Sequence, residues 1–309
     1  MAAIVYSYCT VSASHDPRPT VGLIGLGNMG AAVAERLLDA GYDLVVYNRS
    51  REKTEPLAAR GAAVAATVEA LAAGADVVLT SLSDDDALEA VAASVAAGAR
   101  PGTVLADLST VSPGASAHVA ALADRASLLY LRAPVSGNPG VVRAGNLRFI
   151  VSGPRAALER AEPVLLAIGP TIHEVGDGEQ ARIVKLAINL VIGGLAQLMA
   201  EALVLGEASG VSRAALLETM GDSAAGAPFV KYKTGPLLQD DYSATFTTRL
   251  MEKDVDLVLE AAEAAGVRLP LAGEIKALIR SAIEAGYGDD DFMALYLHLR
   301  GASGQEVLQ

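Results

Sequence analysis

Up to about residue 176 the chain alternates short apolar runs with longer, alanine-rich stretches of helical character. The runs are TVGLIG (20–25), DLVVYN (43–48), DVVLTSL (76–82), TVLADL (103–108), LLYLRA (128–133), LRFIVS (147–152) and TIHEV (171–175). Several are apolar at consecutive positions, as expected of strands covered on both faces. Such strands, separated by helices, predict a parallel sheet in an α/β layer fold. From Asp177 onward no strand pattern persists, and a helical run extends from about 178 to 210. Asp177, with Gln180 three residues later, predicts an N-cap, and Gly210 predicts the stop. The expected organisation is a loose extension over 1–19, an α/β domain over 20–176 and an all-helical domain over 177–309.

Composition narrows the function classes. A chain of 309 residues exceeds one ordinary core. With 52% hydrophobic and 19% charged residues it is a globular composition, not a disordered one. The net charge of −12 and the lack of a basic cluster argue against a nucleic-acid partner. The single cysteine, Cys9, permits no disulfide within the chain and fits a reducing, cytoplasmic setting. Residues 1–19 lack the basic start and long apolar stretch of a signal peptide. The longest uncharged run, 186–200, has 15 residues and contains Asn189 and Gln197. A membrane span takes about 20, so a buried helix is expected and a membrane is not.

The first strand leads into Gly25, Gly27 and Gly30 in G-x-G-x-x-G spacing, followed by an amphipathic helix and a second strand. Gly25 permits the tight turn, Gly27 lets the backbone approach a pyrophosphate, and Gly30 lets helix and strand pack closely. The helix start then offers free N–H groups to phosphates. In this context the motif predicts dinucleotide binding by Gly25, Leu26, Gly27, Asn28, Met29 and Gly30. Leu82, at the end of the 76–82 run, is a further expected cofactor contact. At the end of the second strand an acidic residue would take the ribose 2′-hydroxyl of NAD. Here stand Asn48, Arg49, Ser50, Arg51 and Lys53. No carboxylate repels a 2′-phosphate, and the Arg49 guanidinium suits one. NADP(H) is therefore expected in preference to NAD(H), and Asn48, Arg49, Ser50 and Lys53 as cofactor contacts. No metal site is expected.

A second irregular loop, RAPVSGNPGVVRAGN (132–146), follows a strand; Ser136 and the N–H groups after it suit a small anion nest. Arg132 and Arg143 flank it. Solvent-exposed arginines are the default reading, with a second anionic group on a ligand as the alternative. In the apolar stretch KLAINLVIGGLAQLMA, Lys185 and Asn189 share one helix face at i, i+4 spacing. A desolvated lysine has a lowered pKa and suits proton exchange with a carbonyl or alcohol oxygen. Spacing alone favours a lysine reaching to solvent, because most lysines are solvated.

GLIGLGNMG, DLST (107–110), APVSG (133–137), KLAIN (185–189) and EKDVDL (252–257) together resemble the β-hydroxyacid dehydrogenases, in that family's order and across nearly the whole chain from Thr20. The resemblance implies a Rossmann domain with a parallel-rich sheet, then an all-α C-terminal domain, joined by a long interdomain helix beside the cleft. It implies Lys185 as general acid/base and Asn189 as its partner in placing substrate. It implies Ser136 and Gly137 as carboxylate ligands, Thr110 and Lys253 as cofactor contacts, and Asp254 as support. Members are usually dimers or tetramers, so a homodimer or homotetramer is expected. The sequence departs from the family pattern at Arg132, where an Asp is usual, and at Asn138, where a second glycine is usual. Asn138 adds an amide donor where a substrate carboxylate or its substituent would lie.

The expected activity is an NADP-dependent interconversion of a small β-hydroxy acid with its semialdehyde or keto form. One alternative is an imine reductase using NADPH, a group similar in fold; its usual Asp or Tyr at the position of Lys185 argues against it. Another is a non-catalytic NADP-binding protein, which the altered SGNP loop would suit and the retention of Lys185, Asn189 and Lys253 would not.

Overall fold

The structure, a computed structural model, describes residues 18–304. Cys9 and nearly all of the expected 1–19 extension lie outside the described residues. The strands are β1 (Val21–Ile24), β2 (Leu44–Tyr47), β3 (Ala63–Val64), β4 (Val77–Thr80), β5 (Val104–Asp107), β6 (Leu129–Arg132), β7 (Val135–Ser136), β8 (Arg148–Ser152) and β9 (Thr171–Gly176). Each of the seven apolar runs matches one of them, with β9 ending one residue beyond its run. The two-residue β3 and β7 carry no pattern long enough to predict.

Around them lie α1 (Asn28–Asp39), α2 (Glu55–Ala58), α3 (Val68–Gly74), α4 (Asp85–Gly98), α5 (Pro113–Arg125), α6 (Pro139–Arg143) and α7 (Arg155–Ile168). The sheet order is β3-β2-β1-β4-β5-β6-β8-β7, with β9 beside β8. Pairing is parallel from β3 through β6. It turns antiparallel where β8 meets β6 and β7, and β9 runs parallel to β8. The order reverses direction between β1 and β4, the crevice where open α/β sheets take ligands. Successive residues supply opposite faces. Val77 and Leu79 join one buried cluster with Val21, Leu23 and Phe149, whereas Val78 joins Ile24, Leu105 and Tyr130 in the other. This period of two, covered on both sides, accounts for the unbroken apolar runs.

The remaining helices are α8 (Gln180–Ala208), α9 (Arg213–Asp222), α10 (Pro228–Leu238), α11 (Thr248–Ala264), α12 (Pro270–Ala282) and α13 (Leu295–Ala302). Beyond β9 the only strand-like pairing among the described residues is an isolated bridge between Thr247 and Asp291. α8 starts at Gln180 and Asp177 does not cap it; instead the Gln180 side chain accepts from the Gly178 N–H at 2.7 Å. It ends as expected. Gly210 has φ +83°, and Val211 N–H reaches back to the Gly206 carbonyl at 2.9 Å.

At 29 residues α8 is long and apolar enough to cross a membrane, unlike its uncharged stretch alone. It serves here as the spine of the helical domain. Met199, Leu203, Val255, Ile279 and Tyr296 form a buried cluster along it. A buried Lys233–Asp291 pair, 2.6 Å apart, anchors the segment leading into α11; Thr245 Oγ1 also donates to Asp291.

Candidate active site

Gly25 leaves β1 with φ +95°, a conformation that only glycine adopts without strain. A Cβ there would lie 2.3 Å from the Ser81 carbonyl oxygen, and one at Gly30 would lie 1.9 Å from the Gly25 carbonyl oxygen. The two glycines thus let α1 press against the turn. At Gly27 a Cβ would meet no atom within 4 Å. No side chain caps α1, so its N–H end faces this open space in the β1/β4 crevice. The cradle fits a dinucleotide's pyrophosphate. Asn28 is exposed beside it, and Met29 packs partly buried against the sheet core.

Asn48 braces the loop: its Oδ1 accepts the Leu26 N–H and its Nδ2 donates to the Ser50 carbonyl, both at 2.9 Å. Arg49, Arg51 and Lys53 are exposed, and among the described residues none forms a salt bridge. From β4, the Leu82 side chain comes within 3.1 Å of a Cβ built on Gly25, and Leu82 N–H donates to Ser109 Oγ at 2.8 Å.

The second group gathers where α8 and α11 approach the loop after β5. Lys185 is half-buried, and its Nζ donates to Asn189 Oδ1 at 3.0 Å. Asn189 Nδ2 donates to Asp254 Oδ2, and Asp254 is almost wholly buried. The other Asp254 oxygen lies 3.0 Å from Lys253 Nζ, which donates to the Thr110 carbonyl at 2.6 Å. One polar chain therefore runs from Lys185 to the loop that follows β5. Burial pushes the Lys185 ammonium below the usual lysine range; the Asp254 charge opposes this and the Lys253 charge reinforces it. The Asn189 amide thus links lysine and carboxylate by hydrogen bonds where no direct ion pair is made.

Ser136 lies in β7, opposite Arg148, and Gly137 turns the chain with φ +147°. Asn138 caps α6, its Oδ1 accepting the Val141 N–H at 3.0 Å. The amide oxygen is thus committed and the Nδ2 end is left to donate. Of the two flanking arginines, Arg143 is exposed, as the default reading expected, and Arg132 is not. Arg132 is buried, stacks 4.8 Å over Tyr130 and donates to Glu179 through Nε and Nη2. Arg143 is paired on the surface with Glu35 at 2.8 Å. The buried Arg132 guanidinium is thereby committed to Glu179, whereas Arg143 makes a surface pair of little strength.

Two family models cover the chain. Residues 20–176 match the NAD binding domain of 6-phosphogluconate dehydrogenase, and residues 179–299 match the NAD-binding domain of NADP-dependent 3-hydroxyisobutyrate dehydrogenase. The chain belongs to the β-hydroxyacid dehydrogenase family. It is similar to an NAD-dependent L-serine dehydrogenase of Pseudomonas aeruginosa, 33% identical over 92% of this chain and 99% of that one. Its structure resembles that of Mycobacterium tuberculosis 3-hydroxyisobutyrate dehydrogenase with L-serine, with TM-score 0.83, 32% identity, and 92% and 100% of the two chains covered. A looser likeness, TM-score 0.61 and 26% identity over 91% of this chain and 100% of the other, is to an imine reductase from Myxococcus stipitatus in complex with NADP+.

This β-hydroxyacid dehydrogenase family member is therefore an NAD(P)-dependent oxidoreductase. Its structure gathers the sequence-selected residues in two groups: Gly25 to Gly30 with Asn48, Ser50 and Leu82, and Lys185 with Asn189, Lys253 and Thr110. Among the described residues no hydrogen bond joins Ser136, Gly137 or Asn138 to either group. Asp107 and Arg182 were not selected, yet both are buried against the same loop. A signal existed: Arg182 precedes Lys185 by three residues, which puts it on nearly the same helix face.

Proposed function

We propose that the protein interconverts a small β-hydroxy carboxylate with its semialdehyde or keto form, prefers NADP(H), and uses Lys185 as general acid/base. The observation that carries this reading is the half-buried Lys185 ammonium, held through Asn189 by Asp254 and tied through Lys253 to the Thr110 loop. A bound nicotinamide supplies or accepts the hydride. In reduction Lys185 Nζ gives a proton to the substrate oxygen; in oxidation it takes one from the hydroxyl. Asn189 holds Nζ at the working position, and Asp254 keeps enough positive character on it for donation. Ser136, Gly137 and the free Nδ2 end of Asn138 bind the substrate carboxylate. Thr110 and Lys253 border the cofactor.

The cradle of Gly25 to Gly30 holds the pyrophosphate, and Arg49, with Ser50 and Lys53 beside it, holds the 2′-phosphate. The exposed, unpaired state of Arg49 supports the NADP preference, as does the lack of a carboxylate at the end of β2. A cytoplasmic setting accords with the single cysteine. A homodimer or homotetramer accords with an apolar stripe on α8: Val191, Leu198 and Leu205, seven residues apart, are 61%, 61% and 70% exposed.

The test is a panel of small semialdehydes, 3-hydroxy acids and cyclic imines, followed by nicotinamide absorbance with NADPH and with NADH. Turnover of one or more of the hydroxy acids or semialdehydes is expected. Turnover of imines alone, or NADPH binding with no turnover across the panel, would contradict the proposal.

A further inference from the structure

Among the described residues Arg182 is the largest fully buried side chain, 1% exposed, on the first turn of the helix that carries Lys185. Every arm of its guanidinium is used. Nε donates to Ser116 Oγ at 3.1 Å, Nη1 to the Ser109 carbonyl at 2.8 Å, and Nη2 to Asp107 Oδ2 at 2.6 Å and to Tyr130 OH at 2.8 Å. These partners belong to β5, the loop after it, α5 and β6. The network continues outward. Asp107 Oδ1 accepts from Thr80 Oγ1 and from Ser109 Oγ, both at 2.6 Å, and Ser109 Oγ in turn accepts the Leu82 N–H. Arg182 thereby joins α8 to the ends of β4 and β5, whose loops border the nucleotide crevice.

We infer that Arg182 is a positioning residue for Lys185, and that Asp107 is the anchor against which it sets the helix. This deepens the proposed function and rests on the reading of Lys185 as acid/base. Three residues separate the two side chains on α8, roughly 4.5 Å along the axis. They share nearly one face, so a rotation or slide of the helix start moves both. Beside Arg182, Ser152 Oγ accepts the Ala181 N–H at 3.1 Å, while around Leu186 the helix packs on Leu257, Val258 and Ala272, contacts without direction that tolerate small shifts along it. Four directional donor contacts to fixed backbone and side-chain oxygens do not. A buried ion pair adds little stability over apolar packing of the same volume, so stability alone gives no reason to place a guanidinium here. Register does: acid/base groups must be held to within about 0.5 Å, and a misplacement of about 1 Å costs about a hundredfold in rate. A second, partly buried pair at this end of α8, between Arg132 and Glu179, fixes the residue just before its first turn against β6.

The test compares Arg182→Lys with the double variant Arg182→Met, Asp107→Asn. Lysine keeps the charge and loses the planar fork. The double variant leaves no buried charge unpaired, so it keeps the test open where Arg182→Lys fails to fold. For either folded variant, judged by a cooperative melt, the expected result has three parts. The NADPH dissociation constant stays within about threefold, kcat falls about a hundredfold with KM changed less, and the pH at which reduction falls off moves. A variant that melts like the parent and keeps kcat and its pH profile would overturn the inference and leave Arg182 as part of the packing only. Lys185→Ala, assayed alongside, separates the two claims. Near-parent turnover there sinks the acid/base reading itself, whatever the Arg182 variants do.

Discussion

Two alanine substitutions in the glycine loop should separate folding from cofactor binding. At Gly30 a Cβ would stand 1.9 Å from the Gly25 carbonyl oxygen, a clearance real side chains essentially never show. The turn and α1 must part by about 1 Å, an overpacking that costs about 1–3 kcal/mol. The helix gains about 1 kcal/mol from replacing a glycine, so Gly30→Ala should lose up to about 2 kcal/mol of stability. At Gly27 the same methyl meets nothing within 4 Å, and φ is an ordinary −70°. The gain from a less flexible unfolded chain, about 0.4–1 kcal/mol, is offset by alanine's weaker helix capping. Gly27→Ala should therefore melt within a degree or two of the parent. Its methyl nevertheless occupies the approach to the free N–H end of α1. Losing one or two charge-assisted hydrogen bonds there, at about 1.5–3 kcal/mol each, weakens NADPH binding by at least about tenfold. The assays are thermal melts and fluorescence titration with NADPH. A Gly27→Ala protein that binds NADPH as tightly as the parent would refute the placement of the pyrophosphate.

Arg49→Ala should raise KM for NADPH about tenfold and leave KM for NADH nearly unchanged; a parent protein that already favours NADH in kcat/KM would contradict the 2′-phosphate assignment. Reduction needs protonated Lys185, so its kcat should be flat at low pH and fall as pH rises through a value below the usual lysine range, whereas oxidation should rise through the same region. Stability has its own sign: between that depressed value and the ordinary one the unfolded chain holds a proton that the folded chain lacks, so the free energy of unfolding should increase with pH there. A decrease across that window in a urea series would contradict the burial of the ammonium. Sedimentation should find the parent as a dimer or tetramer, and Leu198→Glu with Leu205→Glu should shift it toward monomer; a parent that sediments as a monomer would rule out the proposed assembly.

The sheet was legible because its chemistry is local. Val77, Val78 and Leu79 can all be apolar only if both faces are covered, and each of the seven runs supplied a strand. β7 was not legible: Val135 and Ser136 pair antiparallel to Phe149 and Arg148, a tertiary choice with no period of its own. The start of α8 was misread by a few residues, because the side chain of Gln180 reaches back to Gly178 where a cap at Asp177 was expected. Lys185 and Asn189 were legible as a pair, since helical spacing alone puts them together. Their link to Asp254 was legible only through family resemblance, because Asp254 lies 65 residues beyond Asn189 along the chain. The arginines were least legible. Charge at Arg132 and Arg182 suggests solvent or a ligand, but Glu179 and Asp107 neutralise them internally, and no local pattern announces such partners.

The most direct measurement is single-turnover reduction by Lys185→Met with saturating NADPH, together with the NADPH dissociation constant of the same preparation. The amine alone is removed, while the helix and the cradle of Gly25 to Gly30 stay in place. With Lys185 as the proton donor, an unchanged dissociation constant and a hydride-transfer rate lowered by about 10²–10⁴ are expected. A folded Lys185→Met protein that binds NADPH and reduces substrate at the parent rate would contradict that role.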